Sequence, residues 1–488
     1  MSRTEFQSNA LTERSGARRL YDWIDQRTGI RSLLRHILDE PIPGGARWAY
    51  VFGSGLLCAL FIQAITGVAL ALYYVPAAGT AHETVAYLTK QVWSGSFIRG
   101  VHAYGSHFIV LLLFAHVIQT FVYGAFKKRR EILWLSGVCL FLLMLGMAFT
   151  GYLLPWDQRS YFATMVGTNV MAEAPVVGPL LKRLLRGGED MGTLTLSRFY
   201  TLHILVLPGL ILTLIALHVC LFRRAGPAGT PQDDLIKPQR PSQPFYPRQL
   251  LMDAGFALAL VLGLVGVAHF LPITLGPATN PASTEYIPRP EWYFLPMFQW
   301  LKYWQGPRAV IGIVVIPSLV LLLFAGVPFL DRRYERRARK RLFSVVGFVL
   351  PLAVLALLGA LSYRDDRLDP RVRLQLAHQK DEEARYMKQP FVPALEAYSF
   401  ANPVPPSPEI VAGRGVFLAH HCNFCHGDDA AGTAAAPRLV GIGEQLSTEQ
   451  LMGLIRRPNA KMTAGKMPVF VGRDDDLHAV VAYLQSLR

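Results

Sequence analysis

Charged residues are scarce in this sequence. Lys, Arg, Asp and Glu make up 17% of its 488 residues, where a soluble chain carries about 25%. With 52% hydrophobic residues, that shortage excludes a disordered chain and a string of ordinary cytosolic domains. Cysteine is scarce too. The five present are not a disulfide framework. The first 45 residues are polar and have no apolar stretch of a cleavable signal peptide. They contain a helical segment, Leu20 to Leu38, that reads as lying on a membrane surface.

What is abundant is long apolar runs. Seven of them, at 49–74, 100–123, 132–154, 200–222, 250–271, 309–330 and 343–362, are long enough to span a bilayer, which takes about 20 apolar residues. The net charge of +15 sits in short clusters beside these runs, which fits membrane topology and not nucleic-acid binding. Lys and Arg number twenty-four in the first 47 residues and the loops on that side of the membrane, against ten in the opposite loops. The N-terminus is therefore expected in the cytoplasm of a bacterial cell, and seven crossings put the C-terminus outside the inner membrane. After the seventh run the composition changes. Residues 363–405, charged and then proline-rich, read as a linker to a small domain at 406–488.

That domain contains Cys422-Asn423-Phe424-Cys425-His426. C-x-x-C-H is the attachment signature of a c-type haem: two thiols add to the vinyl groups and His426 ligates the iron. A zinc site is the bland alternative, but no second cysteine pair exists to complete one. Met467, in Gly-Lys-Met-Pro, is the preferred sixth ligand, with Met462 its rival. A covalent haem belongs on the outer side of a bacterial membrane, where the charge count puts the C-terminus.

Histidine inside a membrane span is costly and marks function or a partner. The second run carries His102 and His116, 14 residues apart, and the fourth carries His203 and His218, 15 apart. Fourteen helical steps return to within roughly 40° of the start and fifteen to within about 60°, with a rise of about 21 Å. Both runs cross in the same direction. His102 can therefore meet His203 near the outer face, and His116 can meet His218 near the inner face. Two such pairs suit two non-covalent, bis-histidine haem b groups. His107 sits about 140° from His102 and reads as a packing or loop-contact residue. Gly53 and Gly67 in the first run, and Gly137 and Gly151 in the third, repeat the 14-residue interval. Glycine lets a flat macrocycle approach the backbone, although small-residue helix packing explains any one of them.

Between the fifth and sixth runs stands Pro290-Glu291-Trp292-Tyr293. A carboxylate in an aromatic loop at the membrane edge can accept a proton from a hydroquinone. An aromatic belt loop is the plainer alternative.

Taken together, the histidine pairs, the spaced glycines, the third run's GYLLPWDQ ending at Gln158, Arg198-Phe199-Tyr200-x-x-His203 and PEWY resemble cytochrome b of the Rieske/cytochrome b complexes over roughly 20–362. The 15-residue interval and the stop at seven runs resemble the photosynthetic cytochrome b and its subunit IV, here in one chain. The tail resembles a class I cytochrome c. The resemblance implies an all-α membrane protein. Its parts would be a surface helix (1–48), a four-helix di-haem bundle (49–230), a three-helix part with the PEWY loop (231–362), the linker and a small α-helical cytochrome c domain. It implies an outer haem on His102 and His203 and an inner one on His116 and His218. Glu291 would be the quinol-oxidising glutamate, Tyr161 and Tyr293 would line its pocket, and Arg99 would pair with a propionate. The photosynthetic type carries a cysteine for an extra covalent haem where Val51 stands here, so no such attachment is expected.

The implied function is bifurcated quinol oxidation. One electron goes to a Rieske iron–sulfur protein and haem c, the other across two b haems to quinone at the inner face, and protons are released outside. No pair of Cys/His clusters suits a Rieske centre, so that partner is another polypeptide; further cytochrome c subunits and a homodimer are also implied. His36, Asp39 and Arg223 are weak candidates for the inner quinone site. Two other readings stay open: a membrane anchor passing electrons between a dehydrogenase and quinone without bifurcation, and a non-catalytic tether for cytochrome c.

Overall fold

A computed structural model of the chain describes residues 16–231, 242–281, 283, 285–393, 407–428, 430–433, 435–465 and 467–487. Among the described residues, seven helices are long and apolar enough to cross a membrane: Trp48–Ala71, Gly95–Val122, Glu131–Tyr152, Thr193–Ala225, Arg248–Phe270, Gly306–Ala325 and Leu342–Leu368. Their large apolar side chains point outward. Phe61, Leu212 and Leu322 are each more than 60% exposed, as suits a surface solvated by lipid tails and not by water.

The chain opens with α1 (Gly16–Thr28) and α2 (Ile30–Leu38), whose exposed Leu20, Trp23, Leu34 and Ile37 form an apolar edge suited to an interface. The two-residue strands β1 (Pro41–Ile42) and β2 (Gln243–Pro244) pair antiparallel. They tie the entry to the first span to the loop between the fourth and fifth. Next come α3 (Val51–Ala71), the short polar α4 (Ala81–Lys90), α5 (Gly95–Val122), α6 (Glu131–Tyr152), α7 (Gln158–Ala172) and α8 (Val177–Arg186). Asp157 starts α7 by accepting the Ser160 N–H at 2.9 Å.

The fourth span is not one regular helix. α9 (Thr193–Thr201) and α10 (Leu207–Ala225) are joined by a π-helical turn, Leu202–Val206. Pro208 follows that turn. It has no N–H for the Ile204 carbonyl, and its ring crowds the preceding turn; widening the turn by one residue relieves both. The sixth span repeats the device, with a π turn at Ile311–Val315 ahead of Pro317.

α11 (Arg248–Phe270) packs on α3 and α5. α12 (Leu295–Leu301), α13 (Ile316–Ala325), α14 (Val327–Leu330) and α15 (Leu342–Leu368) complete the membrane part. On the face rich in Lys and Arg, the loops are bound down. Lys127 reaches Asp331 at 2.6 Å and Arg341 reaches it at 3.0 Å, all three buried. Burial would raise the Asp331 carboxyl, but hydrogen bonds from Lys127 and Arg341 hold it below the usual range.

On the opposite face the structure differs from the composition-based expectation of a linker. Residues 370–388 form α16 (Pro370–Lys388), which lies against the membrane part. Glu383 pairs with Arg159 at 2.9 Å. Lys90 donates to the carbonyls of Tyr386 and Gln389 and sits 3.9 Å over the Tyr386 ring. These anchors are ionic and aromatic, so they leave no apolar period in the sequence to betray them. The proline-rich part of the expected linker, 394–406, falls outside the described residues. The last domain packs α17 (Pro408–Ala419) on α22 (Asp474–Ser486), with α18 (Asn423–His426), α19 (Ile442–Gln445), α20 (Thr448–Arg456) and α21 (Ala460–Ala464) around a core of Phe417, Leu451, Leu477, Val480, Val481 and Tyr483.

Candidate functional site

The four histidines meet in pairs inside the bundle of α3, α5, α6 and α9–α10. His102 faces His203 with ring centroids 6.3 Å apart and planes at 75°. One level nearer the basic face, His116 and His218 both line a cavity of about 480 Å³. His203 lies within the π turn. The turn takes up the one residue by which 15 exceeds 14, so the angular offset computed for a regular helix does not arise.

Each ring is held from behind. Thr66 Oγ1 lies 2.9 Å from His102 Nδ1, Thr150 Oγ1 3.1 Å from His203 Nδ1, and Ser136 Oγ 2.8 Å from His218 Nδ1. Each hydroxyl also donates its only hydrogen to its own helix: Thr66 to the Ile62 carbonyl, Thr150 to Gly146 and Ser136 to Leu133. A hydroxyl has one donor; where it goes to the helix carbonyl, the Nδ1–H of the imidazole donates to the hydroxyl oxygen. The neutral ring then keeps its lone pair on Nε2, the form in which histidine binds a metal. The donor sets therefore fit iron at both levels. Gly53 follows Phe52 instead, and Phe52 has no hydroxyl to offer His116.

The spaced glycines sit against the histidine rings. A Cβ at Gly67 would sit 3.1 Å from the His102 ring, at Gly137 3.3 Å from His218, and at Gly151 2.5 Å from His203; at Gly53 it would have an ordinary 3.8 Å contact with His116. Room is made for the imidazole itself. The hydroxyl-then-glycine pairs Thr66-Gly67, Ser136-Gly137 and Thr150-Gly151 were the legible signal of this arrangement.

In the last domain, His426 Nδ1 donates to the Pro437 carbonyl at 2.8 Å, leaving Nε2 for iron beside Cys422 and Cys425. Among the described residues no three His, Cys, Asp or Glu side chains converge as a metal cluster. Met467 is half-buried in the extended segment after α21, its N–H bonded to the Met462 carbonyl at 3.0 Å. Arg438, next to Pro437, lies within electrostatic reach of His82 and Tyr386.

Glu291 is pinned in place by its loop. Arg289 bonds Asp366 of α15 at 2.5 and 2.8 Å, and the Tyr152 hydroxyl donates to the Arg289 carbonyl at 3.3 Å. The carboxylate lies 3.7 Å from His107 Nε2 and within electrostatic reach of Tyr104, Tyr152 and Arg159. Tyr293 is largely buried beside it; burial first, then the Glu291 charge, push its phenol well above the ordinary value. Tyr161 packs among Trp156, Phe162, Leu196 and Phe199, and Tyr152 lies within electrostatic reach of Glu291. Arg99 bonds the Thr274 carbonyl at 3.0 Å and Thr89 at 3.4 Å. Val51 is a buried residue at the start of α3.

The cavity beside His116 and His218 is also lined by Tyr50, Glu40, Arg223 and Asp253. Arg223 is ion-paired with Glu40. Asp39 ends α2 and is exposed, and the His36 side chain lies outside the described residues.

Residues 37–226 match the family model "Cytochrome b/b6/petB", 278–368 match "Cytochrome b(C-terminal)/b6/petD", and 408–484 match "Cytochrome C oxidase, cbb3-type, subunit III". The chain is 35% identical over 353 residues to the cytochrome bc complex cytochrome b subunit of Chlorobaculum thiosulfatiphilum, covering 70% of this chain and 79% of that one. It is 40% identical over 219 residues to the menaquinol:cytochrome c reductase cytochrome b subunit of Geobacillus thermodenitrificans, covering 43% of this chain and 98% of the relative. With the cytochrome b/c1 of Bradyrhizobium diazoefficiens the identity is 33%, over 70% of this chain and 50% of the relative. Among solved structures, a chain of a hyperthermophilic respiratory Complex III is similar with a TM-score of 0.62 and 28% identity, over 76% of this chain and 97% of that chain.

Proposed function

The chain belongs to the cytochrome b family of cytochrome bc complexes, and from that premise we propose that it is the fused b–c subunit of a quinol:cytochrome c oxidoreductase in a bacterial inner membrane. The basic face is cytoplasmic, and the cytochrome c domain and the Glu291 loop are outside, as the Lys and Arg asymmetry supports. His102 with His203, and His116 with His218, would hold two haem b groups. Cys422 and Cys425 attach a haem c ligated by His426 and Met467. Bound there, the haems supply one-electron carriers: two in series across the bilayer, and one outside that is supplied by a Rieske iron–sulfur partner.

The protein's own residues do the rest. Glu291 accepts a proton from quinol at the outer face. Tyr152 and Tyr293 wall the carboxylate and exclude water, and the Arg289–Asp366 pair fixes the loop that carries it. The cavity lined by Tyr50, Glu40, Arg223 and Asp253 is where quinone takes up the returning electron at the inner face. A Rieske protein, further cytochrome c subunits and a second copy of this chain complete the assembly, since no Rieske ligand clusters exist in the sequence.

The observation that carries the reading is the pairing of two histidines at each of two levels of one helical bundle, with three of the four Nδ1 atoms 2.8 to 3.1 Å from a hydroxyl of a neighbouring helix. The test is a haem stain and redox difference spectrum of the purified chain, joined to quinol:cytochrome c reductase assays with a Rieske partner. Two b haems for each covalent c haem are expected. Glu291→Gln should lower turnover about 10²-fold or more without changing that ratio. A 1:1 ratio, no covalent haem, or unchanged turnover in the variant would overturn it.

A further inference from the structure

His107 is the membrane histidine that the haem pairs leave unused, and it faces the PEWY loop. Trp292 Nε1 lies 2.9 Å from His107 Nδ1. An indole nitrogen only donates, so Nδ1 must accept, and the neutral ring carries its proton on Nε2. That nitrogen is 3.7 Å from Glu291 Oε2, in ion-pair range and one small side-chain adjustment from a hydrogen bond; catalytic contacts are often this long before substrate arrives. Tyr293 and Tyr104 hold the imidazole from two sides, with ring centroids 5.7 and 6.0 Å away. The ring is thus fixed in position by two phenols and fixed in tautomer by the tryptophan of the loop it serves.

We propose that His107 is a positioning residue for quinol oxidation: its Nε2–H, with the tautomer set by Trp292, is the donor that faces the Glu291 carboxylate and aims it at the quinol. This rests on the quinol-oxidation reading above. In the step it serves, a quinol O–H bond breaks, its electron pair stays on the quinol oxygen, and the proton forms a new O–H bond on Glu291. The neutral carboxyl then loses its attraction to His107 and is released to turn outward. The other groups around the carboxylate are Tyr104 of α5, Tyr152 of α6, Arg159 of α7 and Tyr293 of the same loop. Arg159 is engaged with Glu383 of α16, so it does not replace His107 at the carboxylate.

The test is the pH profile of kcat/KM for quinol oxidation by the assembled complex, with the b-haem spectrum as the control for folding. His107→Phe should move the acid limb up by about one pH unit, a roughly tenfold loss of rate at pH values on that limb, and lower the plateau as well, because the carboxylate is no longer aimed. His107→Gln, whose amide both accepts from Trp292 and donates to Glu291, should restore the wild-type profile. Trp292→Phe, which keeps His107 but frees its tautomer, should shift the limb in the same direction by less. An unmoved limb in His107→Phe overturns the proposal; if that variant loses its haems, an unmoved limb in Trp292→Phe does so. A wild-type complex with no quinol oxidation sinks the underlying reading instead, and is told apart by that result alone.

Discussion

The two histidine levels are built from one plan and set in different surroundings. Near the basic face, His116 and His218 open on an apolar cavity whose polar lining includes Tyr50, Glu40, Arg223 and Asp253. At the other level, the ring pair lies in the half of the bundle that also carries Tyr104, His107, Tyr152, Glu291 and Tyr293. The support behind the rings differs as well. Three rings rest on a hydroxyl and a tightly fitted glycine, while at Gly53 a Cβ would make only an ordinary 3.8 Å contact with His116, and Phe52 stands in the hydroxyl's position. A repeated scaffold thus fixes where two cofactors go. What is packed around each level decides which one works beside a proton acceptor and which beside a roomy cavity.

The bluntest way to break the comparison is to remove one ligand at a time. His203→Leu should abolish one b haem entirely and spare the other, and His218→Leu should do the reverse, because the two rings of each pair share no partner with the other pair. Redox difference spectra of the purified variants check this. Loss of both b signals from either single change would mean the levels are not independent.

A finer cut uses the glycines. In Gly151→Ala the new methyl would stand 2.5 Å from the His203 ring, and in Gly53→Ala 3.8 Å from His116. The first is overpacked and should cost about 1–3 kcal/mol, read as a lower melting temperature and loss of the His102–His203 haem. The second should be close to neutral. Equal behaviour of the two variants would show that the fit of the ring against the glycine does not matter.

These contrasts also mark what the sequence could and could not convey. Helix spans and histidine pairs were legible because hydrophobic runs and a 14-residue interval are periodic signals. The π turn was not: a regular helix was assumed for the 15-residue interval, and only the position of Pro208 two residues after Val206 hints at the wider turn. The hydroxyl before three of the four glycines is visible in the sequence, but its meaning lies in a neighbouring helix. Spacing does not say which tyrosine, Tyr161 or Tyr152, reaches a loop 130 or more residues away. α16 was read as a linker because Lys90, Arg159 and His82, the partners of its anchors, lie hundreds of residues earlier.

The hydroxyls give a subtler test of the shared plan. Ser136→Ala leaves the His218 Nδ1–H without its acceptor, and loss of such a support costs about tenfold or more in metal affinity. The inner haem should bind more weakly and its midpoint potential should shift, while the outer haem stays as it was. At the same level, no such support stands behind His116, so Phe52→Ala should leave the potential unchanged apart from any packing effect. A shift in Phe52→Ala as large as in Ser136→Ala would erase the distinction.

The smallest effect comes from a histidine that holds no metal in either level. His82 of α4 is buried, and its Nε2–H donates to the Gly276 carbonyl at 2.8 Å. Burial, aided by the charges of Arg438 and Arg99 and opposed by the Gly276 carbonyl and Asp157, brings its pKa down to about 4. Unfolded, it would titrate near 6.5. Between those values the unfolded chain binds the extra proton, so stability is complete above about pH 6.5 and declines as the pH falls, until the folded form also protonates near 4. The loss is about 0.8 kcal/mol at pH 6 and about 3 kcal/mol at most. His82→Gln retains an N–H for Gly276 but cannot titrate. Its melting temperature should therefore fall less than that of the wild type between pH 7 and pH 5, with both b haems retained. The ring lies 5.4 Å from that of Tyr386, so the same acidification should speed proteolytic cleavage within α16 in the wild type more than in the variant. Parallel melting curves and equal cleavage rates would mean that His82 is already charged in the folded protein, and that α16 is held by its ion pairs alone.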